Sequence, residues 1–198
     1  QETDLTPVLT ALQHHPALEK IYFSVTLYDA YLPSLSGLEA LLRSQDSKVK
    51  ELVLRKVDIR TVGLYPVLQE LGRNTTVTKL AIRYSVLSRV NVRQLTAVLR
   101  QNTVIQSLDL NSSALESAGL AEIAPALYRN TSIRSLDLSS NGLHDIESAN
   151  VLRELIRRNK TITSLCAAYN TFGRNAVAAR SIIEGVRSNT TIQQLDLS

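Results

Sequence analysis

The chain has 198 residues, 44% of them hydrophobic, and no apolar run near the roughly 20 residues that a membrane-spanning helix needs. We therefore expect no membrane among its partners. The formal net charge is only +4, and residues 1–100 carry the whole excess, with 13 Lys/Arg against 9 Asp/Glu. A single cysteine, Cys166, cannot form an intrachain disulfide, which favours a cytoplasmic, reducing setting.

The first predicted element is a helix in the stretch TPVLTALQHHP. Thr6 suits the N-cap, Pro7 the first helical position, and Pro16 the end. Residues 1–16 are thus predicted to form a partial repeat or an N-terminal cap helix.

One unit then recurs along the rest of the chain. Its marker is an apolar residue at steps of 31, 28, 28, 28, 29 and 30 residues: Ile21, Leu52, Leu80, Leu108, Leu136, Leu165 and Leu195. Further apolar residues stand two positions after and three positions before each marker, a pattern typical of a short strand with one buried face. Later in the unit the apolar spacing becomes helical, as in Leu120, Ile123, Ala124 and Leu127.

Each predicted helix ends at an asparagine. These residues are Asn74, Asn102, Asn130, Asn159 and Asn189. Because asparagine tolerates the left-handed conformation that ends many helices, we expect that conformation here. Four of these residues also begin an Asn-x-Ser/Thr triplet, which the repetition explains without glycosylation.

Stacking such units predicts a curved molecule. Parallel strands lie about 4.8 Å apart whereas packed helices need roughly 8 to 10 Å, so the strands line the concave wall and the helices the convex wall. We expect residues 1–198 to form a single repeat domain whose last repeat, residues 192–198, is truncated. Because no helix follows to cover Ile192, Leu195 and Leu197, we expect a longer parent protein with further repeats, or end-to-end self-association through this face.

The stretch IRSLDLSSNGL resembles the LxxLxLxxNxL pattern of leucine-rich repeats. The 28-residue spacing with full helices is similar to the ribonuclease-inhibitor-like subclass, which includes the repeat domains of NOD-like receptors, tropomodulin and the GTPase-activating proteins for Ran. The resemblance implies an α/β curved solenoid of about six to seven repeats. The Asn of the pattern falls at Asn141 and Asn170, but Thr26, Val57, Ser85 and Ser113 replace it in earlier units, which predicts looser loops in the N-terminal half.

Strand alternation identifies the side chains that face the concave space. Basic and aromatic residues dominate the first strands, and two aspartates follow in the middle. The candidate partner-binding residues are Tyr22, Arg55, Lys79, Arg83, Tyr84, Asp109 and Asp137.

Catalysis is not the predicted use of this face. Asp109 and Asp137 should lie about 5 Å apart, close enough for acid/base chemistry or for a cation, yet a shallow arc excludes water poorly. Cys166 has no histidine predicted nearby to act as a base. One cysteine and three dispersed histidines lack the spacing of a zinc site, so we expect neither metal nor cofactor.

The sequence therefore predicts a non-catalytic, intracellular protein-interaction module, used in scaffolding or signalling, that binds an acidic partner on its concave face. Nucleic acid is disfavoured because the net charge is small and aromatic residues make up only 5% of the chain. Two alternatives stay open. One is a regulator of a GTPase or another enzyme, as in Ran-type activators; the other is the sensor domain of a NOD-like receptor, although the sequence contains no GxxxxGK[ST] loop.

Overall fold

The structure is a computed structural model that describes residues 6–24, 35, 37–57 and 64–198. The strands are β1 Lys20–Ser24, β2 Glu51–Arg55, β3 Lys79–Arg83, β4 Ser107–Asp109, β5 Ser135–Asp137, β6 Ser164–Cys166 and β7 Gln194–Asp196. The helices are α1 Thr6–Ala11, α2 Leu38–Arg43, α3 Leu64–Leu71, α4 Arg89–Gln101, α5 Glu116–Arg129, α6 Ile146–Arg158 and α7 Ala176–Arg187. Short 3-10 turns cover Leu12–His14 and Phe172–Arg174.

The strands form one parallel sheet in the order β1 to β7. The predicted markers pair in register across every boundary, from Ile21 opposite Leu52 to Leu165 opposite Leu195. Consecutive helices pack on one another along the other side of the sheet. The chain is therefore a curved leucine-rich repeat solenoid, as its sequence pattern predicts.

The core lies between the sheet and the helices. The marker leucines from Leu52 to Leu165 are almost fully buried, as are the helical residues Leu68, Leu95 and Leu152. The two ends of the stack are less covered: Ile21, Ile192 and Leu195 are half-buried and Leu197 is exposed. Burial of one apolar column per repeat is what holds a solenoid together, because each unit contacts only its neighbours.

The asparagines at the helix ends correct one prediction. Asn102, Asn130 and Asn159 adopt extended rather than left-handed backbone, with φ of −77°, −68° and −72°. The reason is that the side chain bonds across repeats. Nδ2 of Asn130 donates to the Leu99 carbonyl at 2.9 Å, while its Oδ1 accepts from the Ile133 amide at 2.8 Å.

The same arrangement recurs at each helix end, forming what we call the turn ladder: Asn74, Asn102, Asn130, Asn159 and Asn189. Each asparagine side chain donates from Nδ2 to a carbonyl of the preceding repeat. Its Oδ1 accepts from backbone amides just ahead of its own strand. Three of these five residues are the buried Asn74, Asn130 and Asn159, whose triplets resembled glycosylation acceptors. Their amides are already committed to the backbone.

A second ladder runs through the loops that follow the strands. Oδ1 of Asn141 accepts from the amides of Ser113 and Leu115, and its Nδ2 donates to the Leu110 carbonyl at 2.8 Å. Asn170 makes the equivalent bonds one repeat later. We call these two residues the loop ladder.

Substitutions shorten the loop ladder in earlier repeats. Ser113 keeps the bond donated to the preceding repeat, since its Oγ donates to the Ile82 carbonyl. Ser85 does not, because its Oγ donates to the Arg83 carbonyl of its own repeat. Val57 is buried and has no polar atom to offer. Thr26 and the loop around it, residues 25–34, lie outside the described residues, so the prediction of looser N-terminal loops stays a prediction there.

The residue two positions beyond the second apolar strand position is left-handed in five successive repeats. Lys56, Tyr84, Ser112, Ser140 and Tyr169 have φ between 52° and 58°. Their amides still bond to the neighbouring repeat, as Tyr84 does to the Asn111 carbonyl at 3.0 Å. This conformation turns their side chains out at the end of the sheet, and we call the five residues the loop rim.

Asp145 joins two helices in the second half of the molecule. Its Oδ1 caps α6 by accepting from the Ser148 amide at 2.7 Å, and its Oδ2 accepts from the Ser117 hydroxyl of α5 at 2.6 Å. These bonds, led by that from Ser117, lower the pKa of Asp145 to about 2. The carboxylate is therefore a cap and an inter-repeat contact at once.

None of the helices that the structure describes has both the length and the hydrophobicity needed to cross a membrane.

Candidate functional site

The candidate residues occupy one face of β1 to β5. Strand register places Tyr22, Val53, Ala81, Asp109, Asp137 and Cys166 in a single row across the sheet. Val53 and Ala81 are buried, so two of the predicted concave positions offer almost no surface to a partner. Charged and aromatic side chains to either side of them make up the accessible part of the first three strands.

Tyr22, Arg55 and Tyr84 form a contact cluster, which we call the arginine–tyrosine cluster. The Arg55 guanidinium lies 4.6 Å from the centroid of the Tyr84 ring, and its Nη1 lies 3.4 Å from the Tyr22 hydroxyl. Both tyrosines are about half exposed, at 55% and 51%. A guanidinium over an aromatic face gains cation–π attraction and is held in one orientation, so the cluster is preorganised.

The guanidinium of Arg55 is incompletely satisfied. Its Nε is buried and has no hydrogen-bond partner, and no carboxylate contacts it in the part of the chain that the structure describes. A guanidinium has five N–H donors, so one without a carboxylate partner can donate to a carboxylate from outside the chain. Within the described residues Arg55 is such a guanidinium.

Arg83 is in the opposite situation. Its Nε donates to Asp109 Oδ2 at 2.6 Å, and its Nη2 contacts the same oxygen. The hydrogen bond to Asp109 raises the pKa of Arg83. The pair is a fixed, internally neutralised element beside the arginine–tyrosine cluster.

Asp109 and Asp137 are brought to adjacent, register-paired positions, as predicted. Their environments differ, however, because Arg83 binds Asp109 alone. Each carboxylate also accepts from an amide two residues on: Asp109 from Asn111 at 2.9 Å and Asp137 from Ser139 at 2.8 Å. Asp196 does the same for Ser198 in the last repeat, so strand-end capping accounts for these aspartates.

Lys79 does not join the others. It is the first residue of β3, four residues before Arg83, and a strand rises about 3.3 Å per residue, which places it roughly 13 Å away. Its cross-strand neighbour Glu51 is bound by Lys20 at 2.6 Å. Lys79 is exposed and belongs to the opposite end of the sheet from the arginine–tyrosine cluster.

Cys166 has polar neighbours but no histidine beside it. Its Sγ lies 2.9 Å from Ser139 Oγ and 3.7 Å from Asp196 Oδ2. The imidazole of His14 contacts Asp46, more than a repeat away from this region. Within the described ranges, no group of three His, Cys, Asp or Glu side chains is arranged to hold a metal ion.

Sequence reasoning missed Tyr169. Its ring is 75% exposed and it belongs to the loop rim, at the repeat position that Tyr84 occupies in the third unit. Aligning the repeats two residues beyond the second apolar strand position would have found it. The two tyrosines differ in one respect: Tyr84 carries a guanidinium on its ring, whereas Tyr169 has no such contact among the described residues.

No protein-family model and no curated protein matches the sequence. Solved structures do match. One, leiomodin-1 actin-binding site 2, superposes with a TM-score of 0.61 at 20% identity, covering 76% of this chain and 88% of that chain. Another, the tropomodulin C-terminal domain of Caenorhabditis elegans, gives a TM-score of 0.59 at 15% identity, covering 77% and 90%. At these identities the likeness is one of fold.

Proposed function

We propose that the chain is a non-catalytic protein-binding module that receives an acidic segment of a protein partner on the concave face of β1 to β3. The observation that carries the proposal is the Arg55 guanidinium, which contacts Tyr22 and Tyr84 but no carboxylate among the described residues. Arginine and tyrosine are the residue types most enriched at binding hot spots, since both supply a large rigid contact area with directional donors.

The surroundings fit a carboxylate better than a phosphodiester backbone. Next to Arg55, the Arg83 charge is already neutralised by Asp109, and Asp137 adds a negative charge in the adjacent row. A nucleic-acid strand needs a continuous run of unpaired cations, whereas an acidic side chain needs one. Asp137 would then set the register by pairing with a basic residue of the partner.

The fold likeness supports a protein partner in a further way. The leiomodin-1 structure is an actin-binding site, and this makes actin the first defined partner to test here. We place the chain in the ribonuclease-inhibitor-like subclass and infer that it works inside the cell. Regulation of a GTPase remains the second candidate, because it would use the same docking step.

The test uses two matched pairs of variants in a pull-down from cell extract and in actin co-sedimentation. Tyr84→Ala is matched by Tyr169→Ala, since both residues are exposed and belong to the loop rim. Arg55→Gln is matched by Arg134→Gln, an exposed arginine beside β5 whose side chain, among the described residues, bonds only the Thr161 carbonyl, at 3.5 Å. We expect Tyr84→Ala and Arg55→Gln to lower partner recovery about tenfold and the two controls to change it less than twofold.

Equal recovery by all four variants would reject the arginine–tyrosine cluster as the binding site. Adding GTP and measuring its hydrolysis by the captured partner separates the two candidates. Acceleration by wild type that Arg55→Gln abolishes would indicate a regulator, and an unchanged rate would indicate a scaffold.

End-to-end self-association is a separate proposal. Ile192 and Leu195 are half-buried and Leu197 is 36% exposed at the last strand, which supports an apolar contact there. Sedimentation velocity should show a concentration-dependent dimer that Leu197→Lys abolishes. A monomer at all concentrations would remove this proposal without affecting the concave-face proposal.

A further inference from the structure

Helices α4, α5 and α6 end side by side around a cleft of about 870 Å³. We call it the arginine cleft, and its lining includes Leu99, Arg100, Pro125, Tyr128, Arg129 and Arg158. Three successive repeats contribute one exposed guanidinium each. A basic residue at one helix end is ordinary, because it complements the helix dipole, but three around one cleft concentrate positive charge.

The charge of the cleft is not balanced from within. Arg158 Nε donates to Glu154 at 2.9 Å, but the same carboxylate oxygen also accepts from Arg157 at 2.9 Å. Arg100 and Arg129 contact no carboxylate within the described part of the chain. Glu154 therefore serves three guanidinium groups, those of Arg153, Arg157 and Arg158, while Arg100 and Arg129 have no carboxylate among the described residues.

The sequence explains the missing carboxylates. Helix α4 contains no acidic residue at all. In α5, Pro125 stands five residues before the terminal Asn130, where α6 has Glu154 five residues before Asn159. The residue that could have neutralised Arg129 from its own helix is thus replaced by a proline that lines the cleft instead.

The floor of the cleft is apolar. The Tyr128 ring lies under the Arg158 guanidinium at 5.3 Å, with Pro125 and Leu99 beside it. Burial raises the pKa of Tyr128, so its hydroxyl stays protonated and can donate a hydrogen bond. Arginines around an aromatic and aliphatic floor suit a peptide that alternates carboxylates with an apolar side chain, because each part of the peptide finds its complement.

A second cleft at the same edge shows the contrasting case. It has a volume of about 350 Å³ between the ends of α2 and α3, and it is also lined by two arginines, Arg43 and Arg73. There Arg43 donates to Glu70 at 2.6 Å, and Glu70 itself lines the cleft. This cleft, in which Glu70 pairs with one of the two arginines, is a matched control within the same fold.

We propose that the arginine cleft binds an acidic peptide segment of a protein partner, independently of the concave face. The site is formed by side chains of three repeats, so it exists only in the stacked solenoid. It gives the molecule two docking surfaces, one at the strands of the first half and one at the helix ends of the middle.

The test measures binding of a fluorescein-labelled peptide of sequence Glu-Glu-Leu-Glu-Glu by fluorescence anisotropy at low salt. Its neutral counterpart, Gln-Gln-Leu-Gln-Gln, and inorganic pyrophosphate serve as competitors. We expect Arg100→Gln combined with Arg129→Gln to weaken binding about tenfold or more. The same charge change in the control cleft, Arg43→Gln with Arg73→Gln, should weaken it less than twofold.

Several outcomes would overturn the proposal. Equal weakening by the two double variants would mean that the peptide is attracted by net charge alone. Equal competition by the neutral peptide would mean that the cleft does not recognise the carboxylates. Complete displacement by pyrophosphate at concentrations where Glu-Glu-Leu-Glu-Glu is ineffective would mean a simple anion site. The concave-face proposal is judged separately, by partner recovery with Tyr84→Ala and Arg55→Gln, so its failure is distinguishable from a failure here.

Discussion

The two halves of the sheet use their polar side chains differently. In β1 to β3, whose strands are five residues long, Tyr22, Arg55 and Tyr84 reach the surface and Arg55 has no carboxylate partner among the described residues. In β4 to β7, whose strands are three residues long, the row of Tyr22 carries Asp109, Asp137, Cys166 and Asp196, and the three aspartates accept from the chain's own backbone amides.

Within one repeat pattern, the polar residues of the second half therefore stabilise the fold, whereas those of the first half are available to bind a partner. The loop ladder in the second half satisfies buried loop backbone, and the residues that do so cannot also bind a partner. The first half has Ser85 and Val57 in place of ladder asparagines, and its concave face carries Arg55, which has no carboxylate partner among the described residues. A repeat can vary its surface chemistry freely because the buried apolar columns alone set the register.

The largest expected effect comes from breaking the loop ladder where it is complete. Asn141→Ala should lower the free energy of unfolding by about 3 kcal/mol, because Asn141 is 1% exposed and its loss leaves several buried amides and carbonyls unpaired. The equivalent Ser85→Ala should cost about 1 kcal/mol, since Ser85 Oγ donates only within its own repeat. Urea denaturation of both variants measures the difference. Equal losses would mean that the two halves do not differ in this respect.

A smaller effect is expected at Asp145, and it should depend on pH. Its folded pKa of about 2 lies below the ordinary value near 3.9, so the stabilisation is complete above about pH 4 and is lost as the pH falls through 2. Because the carboxylate is partly exposed, we expect about 1 kcal/mol rather than the full amount that the shift implies.

Urea denaturation of wild type and Asp145→Asn between pH 7 and pH 2 tests this. The gap between the two should be widest near neutrality and should close toward pH 2. Glu147→Gln, which removes an exposed carboxylate from the same first turn of α6, should change stability by less than about 0.5 kcal/mol. A gap that widens toward acid would contradict the capping role.

The smallest effect concerns the Arg83–Asp109 pair at the border between the halves. A double-mutant cycle with Arg83→Gln and Asp109→Asn should give a coupling energy of about 0.5 to 1 kcal/mol, since the Arg83 side chain is 46% exposed. The coupling should fall as salt is added. A coupling above about 2 kcal/mol would mean that the pair stabilises the fold rather than shapes the concave surface.

Much of the fold was predictable from the sequence because it depends on the apolar marker residue that recurs in every repeat. Aligning Leu52, Leu80 and Leu108 gave the strand register that the structure has. The conformation of Asn130 was predicted wrongly, because a local rule for helix ends takes no account of the carbonyl of Leu99, 31 residues earlier. Side-chain contacts between repeats are tertiary facts that no single repeat encodes.

The sequence predicted which residues face the concave side, but it did not predict which of them contact one another. Strand alternation placed Arg55 and Arg83 on one face, yet it could not show that one is neutralised by Asp109 and the other is not. Tyr84 reaches Arg55 because its left-handed backbone, with φ of 52°, turns the ring along the sheet. A tyrosine does not predict a left-handed backbone, since glycine or asparagine is the usual residue in that conformation.

The turn ladder also bears on how the molecule would respond to force. Each asparagine side chain hydrogen-bonds backward to the preceding repeat and forward to the turn before its own strand. Detaching a terminal repeat therefore breaks the hydrogen bonds of one asparagine and the apolar contacts of one repeat, and it leaves the repeats farther in undisturbed. Stretching the chain between its ends should therefore peel off units of 28 to 31 residues in succession. Each unit would release about 95 to 105 Å of extended chain, giving a sawtooth record instead of a single rupture.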